Sequence, residues 1–300
     1  MDVVLYHANC WDGLGAAWAA WLTLRDGAEY IPVQYGDPVP DLLGYEHVYI
    51  VDFAYSLEQM QTIAEGGSLT VIDHHKTHGD AVEALDGPGV TTVFDLKKSG
   101  AVLTWEHFSW DCSPDMPPLL RYIQDRDLWT WALPRSREVN AWIRSCDPTI
   151  ERQPGAYGSD GVDFEFISAM AARIESADGL AEVIASGKSL LRHIKKTVRI
   201  ICEGARLMPV VKGGPAVPVV NSCVYQSEIG HKLCSLFPSA PYACVYFDQH
   251  KYEGSSSVRV YSLRSDDRED VGEVARGQGG GGHPNAAGFR RALPLWSSLL

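Results

Sequence analysis

The sequence sets residues able to bind metal or move protons at four points. HANCWDG places His7, Cys10 and Asp12 in a turn beyond the apolar run VVLYH (3–7). Asp52 lies in HVYIVDF, Asp73, His74 and His75 close SLTVIDHH, and Asp125 and Asp127 stand in RYIQDRDLW. His and carboxylate ligands drawn from several such points suit a pair of borderline-hard cations such as Mn²⁺ better than a closed structural zinc site. Two such ions about 3.5 to 4 Å apart activate a water and stabilise the leaving oxygen when a phosphate ester is hydrolysed, so no Ser or Cys nucleophile is required. Asp52 is the carboxylate best placed to bridge them, and Asp73 could orient an adjacent imidazole through its second nitrogen.

Each cluster also has a plain structural reading. A His at a strand end is commonly a satisfied structural residue. Asp52 could cap a helix, although Ser56, ahead of LEQMQTIAEG, is the better placed cap. Asp125 and Asp127 could pair with Arg126 at the surface. Recurrence is what argues for chemistry, because a carboxylate closing a buried strand is costly to desolvate unless a cation or hydrogen-bond donors meet it.

A different feature stands near the C-terminus, GQGGGGHPNAAGF (277–289). Consecutive glycines let backbone N–H groups approach an anion, a helix begun by NAAGF would add its positive end, and His283 could donate to a phosphate. A flexible linker is the alternative, against which stands the embedded His followed by small residues. Arg264, in SLRS, offers either a bidentate phosphate donor or a surface ion pair.

The elements that must position these residues follow from the hydrophobic pattern. VVLYH reads as a buried strand and GLGAAWAAWLTL (13–24) as the helix behind it; HVYIVDF, SLTVIDHH and TTVFD (91–95) read as further strands, the last leading into the helical AVLTWEHF. Alternating strands and helices predict a mainly parallel α/β sheet, in which ligand sites gather at the carboxyl ends of the strands. Residues 148–178 are Gly-, Pro- and acid-rich and predict a loop or peripheral insertion. Leu190, Leu191, Ile194, Val198 and Ile201 fall at helical spacing, and beyond them AVPVVNS, YACVYFD and SSVRVYSLRS predict strands around one helix, SEIGHKLCSLF.

Composition bounds the partners. With 300 residues, 45% of them apolar and 10% aromatic, the chain is a folded globular protein and not a disordered one. A formal charge of −12 repels long duplex nucleic acid. A small phosphorylated substrate or a short single-stranded oligonucleotide stays compatible, since bound cations supply positive charge locally. Seven scattered cysteines without a CxxC pair fit a reducing cytoplasm. Nothing reads as an export signal or membrane span. A homodimer is compatible with all of this.

In order, the His-x-x-Cys-x-Asp-Gly turn, the Asp after a strand, DHH, a later Asp and GGGGHPNAAG resemble the DHH phosphoesterase superfamily with a C-terminal DHHA1 domain, over roughly residues 1–135 and 215–290. The resemblance implies an α/β chain: a Rossmann-like, mainly parallel DHH domain (1–185) joined by a connecting helix (186–212) to a smaller α/β DHHA1 domain (213–300), with the active site in the cleft between them. It also implies a pair of divalent ions, Mn²⁺ first. Carried over by position, it makes His7, Asp12, Asp52, His74 and Asp125 metal ligands; lining QDRDLW against the family's Asp-Thr-Gly form favours Asp125 over Asp127. His75 would face the scissile phosphate, and Arg264, His283 and the backbone of Gly280, Gly281 and Gly282 would hold substrate. Cys10 departs from the pattern, standing where many members carry Asp. A thiolate ligand there would shift preference toward Fe²⁺, Co²⁺ or Zn²⁺, or leave one ion more weakly held.

The expected activity is a metal-dependent phosphodiesterase acting on short oligonucleotides or linear dinucleotides. The alternatives are a phosphomonoesterase or phosphoanhydride hydrolase on nucleoside bisphosphate or polyphosphate, and, in a different class, a nucleotide-binding module with weak turnover. Tyr6, Trp11, Phe53, Tyr55 and Trp129 lie near the motifs and either stack a base or pack in the core.

Overall fold

The computed structural model describes residues 1–8, 10–109, 115–150, 161–249 and 257–293. They fall into two compact units, Met1–Leu191 and Arg192–Leu300.

The first unit runs β1 (Asp2–His7), α1 (Trp11–Leu24), β2 (Ala28–Val33), β3 (His47–Val51), α2 (Leu57–Glu65), β4 (Ser68–Asp73), α3 (Gly79–Glu83), β5 (Val90–Phe94), α4 (Gly100–Ser109), α5 (Pro118–Asp127), α6 (Ser136–Ile143), a short β6–β7 pair (Thr149–Ile150 with Gly161–Val162), α7 (Phe164–Glu175) and the start of α8 (Ala177–Cys202). Its five-stranded sheet has the order β2-β1-β3-β4-β5, parallel throughout. The continuous apolar runs of the sequence follow from this, because the central strands are buried on both faces. Along β1, Val4 and Tyr6 pack with the Ala-rich face of α1 and with Ala101, Leu103, Leu119 and Leu120. Val3 and Leu5 pack on the opposite face with Met60, Ile63 and Val82. Emptying either layer is costly: Ile50→Ala, at a fully buried position, removes about 2–5 kcal/mol.

The strand order reverses between β1 and β3, so the carboxyl ends of these two strands flank the switch point at which such sheets open a crevice. Ser56 caps α2 in a capping box with Gln59, which leaves Asp52 for another purpose. β2 is a strand that the apolar pattern did not reveal; its sequence AEYIPV carries Glu29 and Pro32.

Two expectations for the rest of the chain need correction. The stretch 148–178 is not wholly a loop: Asp163 accepts from the Phe166 amide at 2.8 Å and starts α7, whose Phe164, Ile167, Met170, Ala171 and Ile174 are buried at helical spacing. Residues 151–160 of that stretch lie outside the described residues. NAAGF, expected to begin a helix, is a strand.

The second unit comprises the end of α8, then β8 (Arg206–Pro209), β9 (Ala216–Asn221), α9 (Gln226–Leu236), β10 (Ala243–Gln249), β11 (Val258–Arg264), α10 (Val271–Arg276), β12 (Gly281–His283) and β13 (Ala286–Ala292). The sheet order is β12-β13-β11-β10-β9-β8, antiparallel except for β9 and β10, which α9 joins as a crossover. Val217, Cys244, Leu263 and Phe289 fill one face, while Val220 and Val245 meet Ile229 and Leu233 of α9 on the other. β12 pairs with β13 from Gly281 opposite Gly288 to His283 opposite Ala286. Gly282 has φ +137°, and a Cβ there would stand 2.5 Å from the Ala286 carbonyl oxygen. The glycines thus let two strands close tightly, and no helix N-terminus follows them.

Candidate metal centre

β1 delivers His7 at its last residue, and β3 delivers Asp52 one residue past its end. Asp52 has φ 61°, in the left-handed region, a backbone conformation that costs a non-glycine residue about 1–3 kcal/mol and gathers at functional sites. Its amide still donates to the Ile72 carbonyl at 2.9 Å, so the sheet continues through the turn. Oδ2 of Asp52 lies 3.5 Å from His7 Nδ1 and 3.3 Å from Cys10 Sγ. Oδ1 lies 3.2 Å from His74 Nε2.

Asp12 stands in the first turn of α1, where Cys10 is the N-cap. Its carboxylate accepts from the backbone amides of Gly100 at 2.7 Å and Ala101 at 3.1 Å, which begin α4. The amino end of α4 therefore holds Asp12 by oriented N–H groups and its partial positive charge. Oδ2 of Asp12 is also 3.4 Å from His74 Nε2. Gly100 is required here: a Cβ on it would stand 2.5 Å from Asp52 Oδ1.

Asp127, not Asp125, is the carboxylate that α5 brings to this cluster, with Oδ2 3.7 Å from His74 Nε2. Asp125 is taken up by the turn after α5. It accepts from the Thr130 hydroxyl at 2.5 Å and from the amides of Ala132 at 2.7 Å and Leu133 at 3.1 Å.

Asp73 faces along its own chain. Oδ1 accepts from the amides of His74 at 2.7 Å and His75 at 3.3 Å and from His75 Nδ1 at 2.7 Å, while Oδ2 lies 3.2 Å from His78 Nδ1. A carboxylate accepting at Nδ1 orients the His75 ring. His78 shares that anchor and was missed in the sequence, where only its spacing of three from His75 hinted at it. Tyr35, just past β2, was also missed; its ring centroid is 5.0 Å from that of His7 and 5.1 Å from that of His78. Tyr6, Phe53 and Tyr55 pack in the core.

The buried acidic and His groups could bind a cation. Asp12 is 3% and Asp52 1% exposed, with His7 and His74 beside them. Burial, and then the charges of Asp52 and Asp127, push the Asp12 carboxyl well above the usual range. Burial opposes ionisation of Asp52 too, but hydrogen bonds from His7 and His74 outweigh it and hold it well below. His74, whose burial disfavours charge, is raised to about 10 by its hydrogen bond to Asp52 and the charges of Asp127 and Asp12. Burial first, then Asp52 and Asp12, push the Cys10 thiol up. A divalent ion would replace the protons that now share this space. Among the groups of donors that lie within 4.8 Å of one another are His7 with Cys10 and Asp52, Asp12 with Asp52 and His74, and Asp52 with Asp73 and His75. Imidazole and carboxylate donors of this kind fit a divalent ion.

In the second unit, Arg264 donates to Ser227 Oγ and to the Leu263 carbonyl, both at 2.7 Å, with its stem against Gly230. Gly281, Gly282 and His283 form β12, and Gly280 precedes it.

No protein-family model matches the sequence. The chain is similar to the uncharacterized protein R106 of Acanthamoeba polyphaga mimivirus, 29% identical over 317 residues that span 96% of this chain and 67% of that protein. Among solved structures it is similar to an uncharacterized protein from Helicobacter pylori G27, at 12% identity and a TM-score of 0.45. It is also similar to the pGpG-specific phosphodiesterase PggH of Vibrio cholerae, at 13% identity and 0.43; each alignment covers 97% of this chain and 93% of the other. No helix among the described residues is long and apolar enough to cross a membrane.

Proposed function

We propose that the chain is a divalent-metal-dependent phosphoesterase of the DHH type, a phosphodiesterase for short oligonucleotides or linear dinucleotides. The observation that supports this most is the division of labour within one carboxylate: Oδ2 of Asp52 meets His7 while Oδ1 meets His74. In this reading His7, Asp12, Asp52, His74 and Asp127 hold two divalent ions, Mn²⁺ first among the candidates. Bound there, the ions would activate a water and stabilise the leaving oxygen.

The chain's own residues supply the remainder. α4 holds and aims Asp12 by its two amides. Asp73 orients the His75 ring through Nδ1, and an imidazolium there would donate from Nε2 to a phosphate oxygen. Arg264, His283 and the backbone of Gly280 to Gly282 are assigned to substrate binding. The net charge of −12 favours short over long polyanions.

The test is hydrolysis, with Mn²⁺ added, of a dinucleotide, a short oligoribonucleotide, a nucleoside 3′,5′-bisphosphate and polyphosphate, with Asp52→Ala and His74→Ala alongside. Cleavage of the dinucleotide or oligomer that both variants abolish supports the proposal. Turnover of only the bisphosphate or polyphosphate replaces it with a monoesterase or anhydride hydrolase, and no turnover of any substrate overturns it.

A further inference from the structure

We propose that Cys10 is a thiolate ligand, and that it makes the two ion positions chemically unequal: one takes a borderline-soft ion of the Fe²⁺, Co²⁺ or Zn²⁺ class, the other a harder ion such as Mn²⁺. This rests on the reading above in one respect, that Asp52 binds cations with both oxygens.

Three distances carry the argument. Cys10 Sγ to His7 Nδ1 is 3.6 Å, Cys10 Sγ to Asp52 Oδ2 is 3.3 Å, and His7 Nδ1 to Asp52 Oδ2 is 3.5 Å. Metal bonds of about 2.3 Å to sulfur and about 2.0 to 2.2 Å to nitrogen and oxygen, at tetrahedral angles, separate the donor atoms by about 3.3 to 3.7 Å. The three atoms form one face of such a tetrahedron, and an ion beyond that face would have its fourth position open. The other donor group has a different character. His74 Nε2 is surrounded by Asp12 Oδ2 at 3.4 Å, Asp52 Oδ1 at 3.2 Å and Asp127 Oδ2 at 3.7 Å, one nitrogen with three carboxylate oxygens and no sulfur. Thiolate selects softer ions and carboxylate harder ones, so the two groups sort ions by type.

A purely structural role explains the cysteine less well. Cys10 is the N-cap of α1, and its Sγ accepts from the Gly13 amide at 3.1 Å. Ser, Thr, Asp and Asn are the strong caps, and sulfur is a weak acceptor, so helix capping alone would be served better by an oxygen. A sulfur at this cap gains its use from the imidazole and carboxylate beside it.

The experiment is Co²⁺ titration of the full chain, read by absorption in the near ultraviolet, where a thiolate bound to Co²⁺ gives a charge-transfer band. It is run on the unaltered protein and on Cys10→Ser, Cys10→Asp and Asp52→Asn, with metal content measured after equilibration against equal Mn²⁺ and Zn²⁺. Expected are a band in the unaltered protein, its loss in both Cys10 variants with Co²⁺ still bound, and a shift of retained metal from Zn²⁺ toward Mn²⁺ in Cys10→Asp. Both variants keep an oxygen cap on α1, so circular dichroism should match the unaltered protein. Co²⁺ bound without the band, or a band that survives Cys10→Ser, overturns the proposal and leaves the ion pair intact. Co²⁺ binding that is indifferent to Asp52→Asn overturns the ion pair as well.

Discussion

A methyl group on Gly100 would stand 2.5 Å from Oδ1 of Asp52 and 2.6 Å from its Cβ, so the first turn of α4 and the carboxylate shared by both donor groups fill one space. Nothing larger than hydrogen fits at position 100 unless Asp52 moves. Gly100→Ala is therefore expected to cost about 1–3 kcal/mol by overpacking and to weaken divalent-ion binding sharply. Thermal unfolding together with calorimetric Mn²⁺ titration reads both; unchanged Mn²⁺ affinity in the variant would show that Asp52 does not need this wall.

Removing the ion should matter to the fold as well. Ions that bind the folded chain at a hundred times their dissociation constant stabilise it by about 2.7 kcal/mol. A chelator should lower the melting temperature of the unaltered protein and leave Asp52→Asn unaffected, because that variant has lost the shared carboxylate. Equal chelator sensitivity in both would place the ions elsewhere.

Asp125 and Asp127, two residues apart, are expected to fail in different ways. Burial raises the Asp125 carboxyl, but hydrogen bonds from Ser136 and Thr130 and from the Ala132 and Leu133 amides outweigh it, so its pKa in the folded chain lies below the ordinary value. Stability from Asp125 is therefore fully present above about pH 3.9, the unfolded value, and is lost as pH falls through the lower folded one. Asp125→Asn should cost about 1–3 kcal/mol near neutral pH and flatten the acid limb of the stability curve. Asp127→Asn should weaken Mn²⁺ binding without the stability loss of Asp125→Asn, as Mn²⁺ titration and urea unfolding at neutral pH would report.

Asp73→Asn tests positioning. An amide oxygen still accepts from His75 Nδ1 but no longer carries the charge that pins the proton there, and losses at such supporting residues run to about 10–100-fold. The expected result is a lower kcat on bis-p-nitrophenyl phosphate, with KM and Mn²⁺ affinity little changed, and an altered His75 ring nitrogen signature by NMR. A loss confined to Mn²⁺ affinity would instead make Asp73 a support of His74 alone.

The parts of this centre that were legible in the sequence are those that close continuous apolar runs. His7, Asp52 and the triplet Asp73 to His75 follow strands buried on both faces, and such strands announce themselves. Asp127 was not separable from Asp125, because two positions two apart on a helix face different ways and the rotation of α5 is set by packing that the local sequence does not encode. Gly100 read only as a helix start, since its purpose is contact with a residue 48 positions earlier. Tyr35 follows a strand interrupted by Glu29 and Pro32, which hid both strand and ring. The small residues after His283 carry no period, so a strand there passed for a helix.

Asp73 gathers two backbone amides and two imidazole rings onto one buried carboxylate within six residues of chain. Substitution at position 73 strands two amides and two rings, and substitution at 75 or 78 takes a partner from a buried carboxylate, so single steps away from this arrangement pass through crippled intermediates. Over descent the segment should then behave as a single inherited character, kept whole or abandoned whole, while positions that touch no shared anchor vary one at a time.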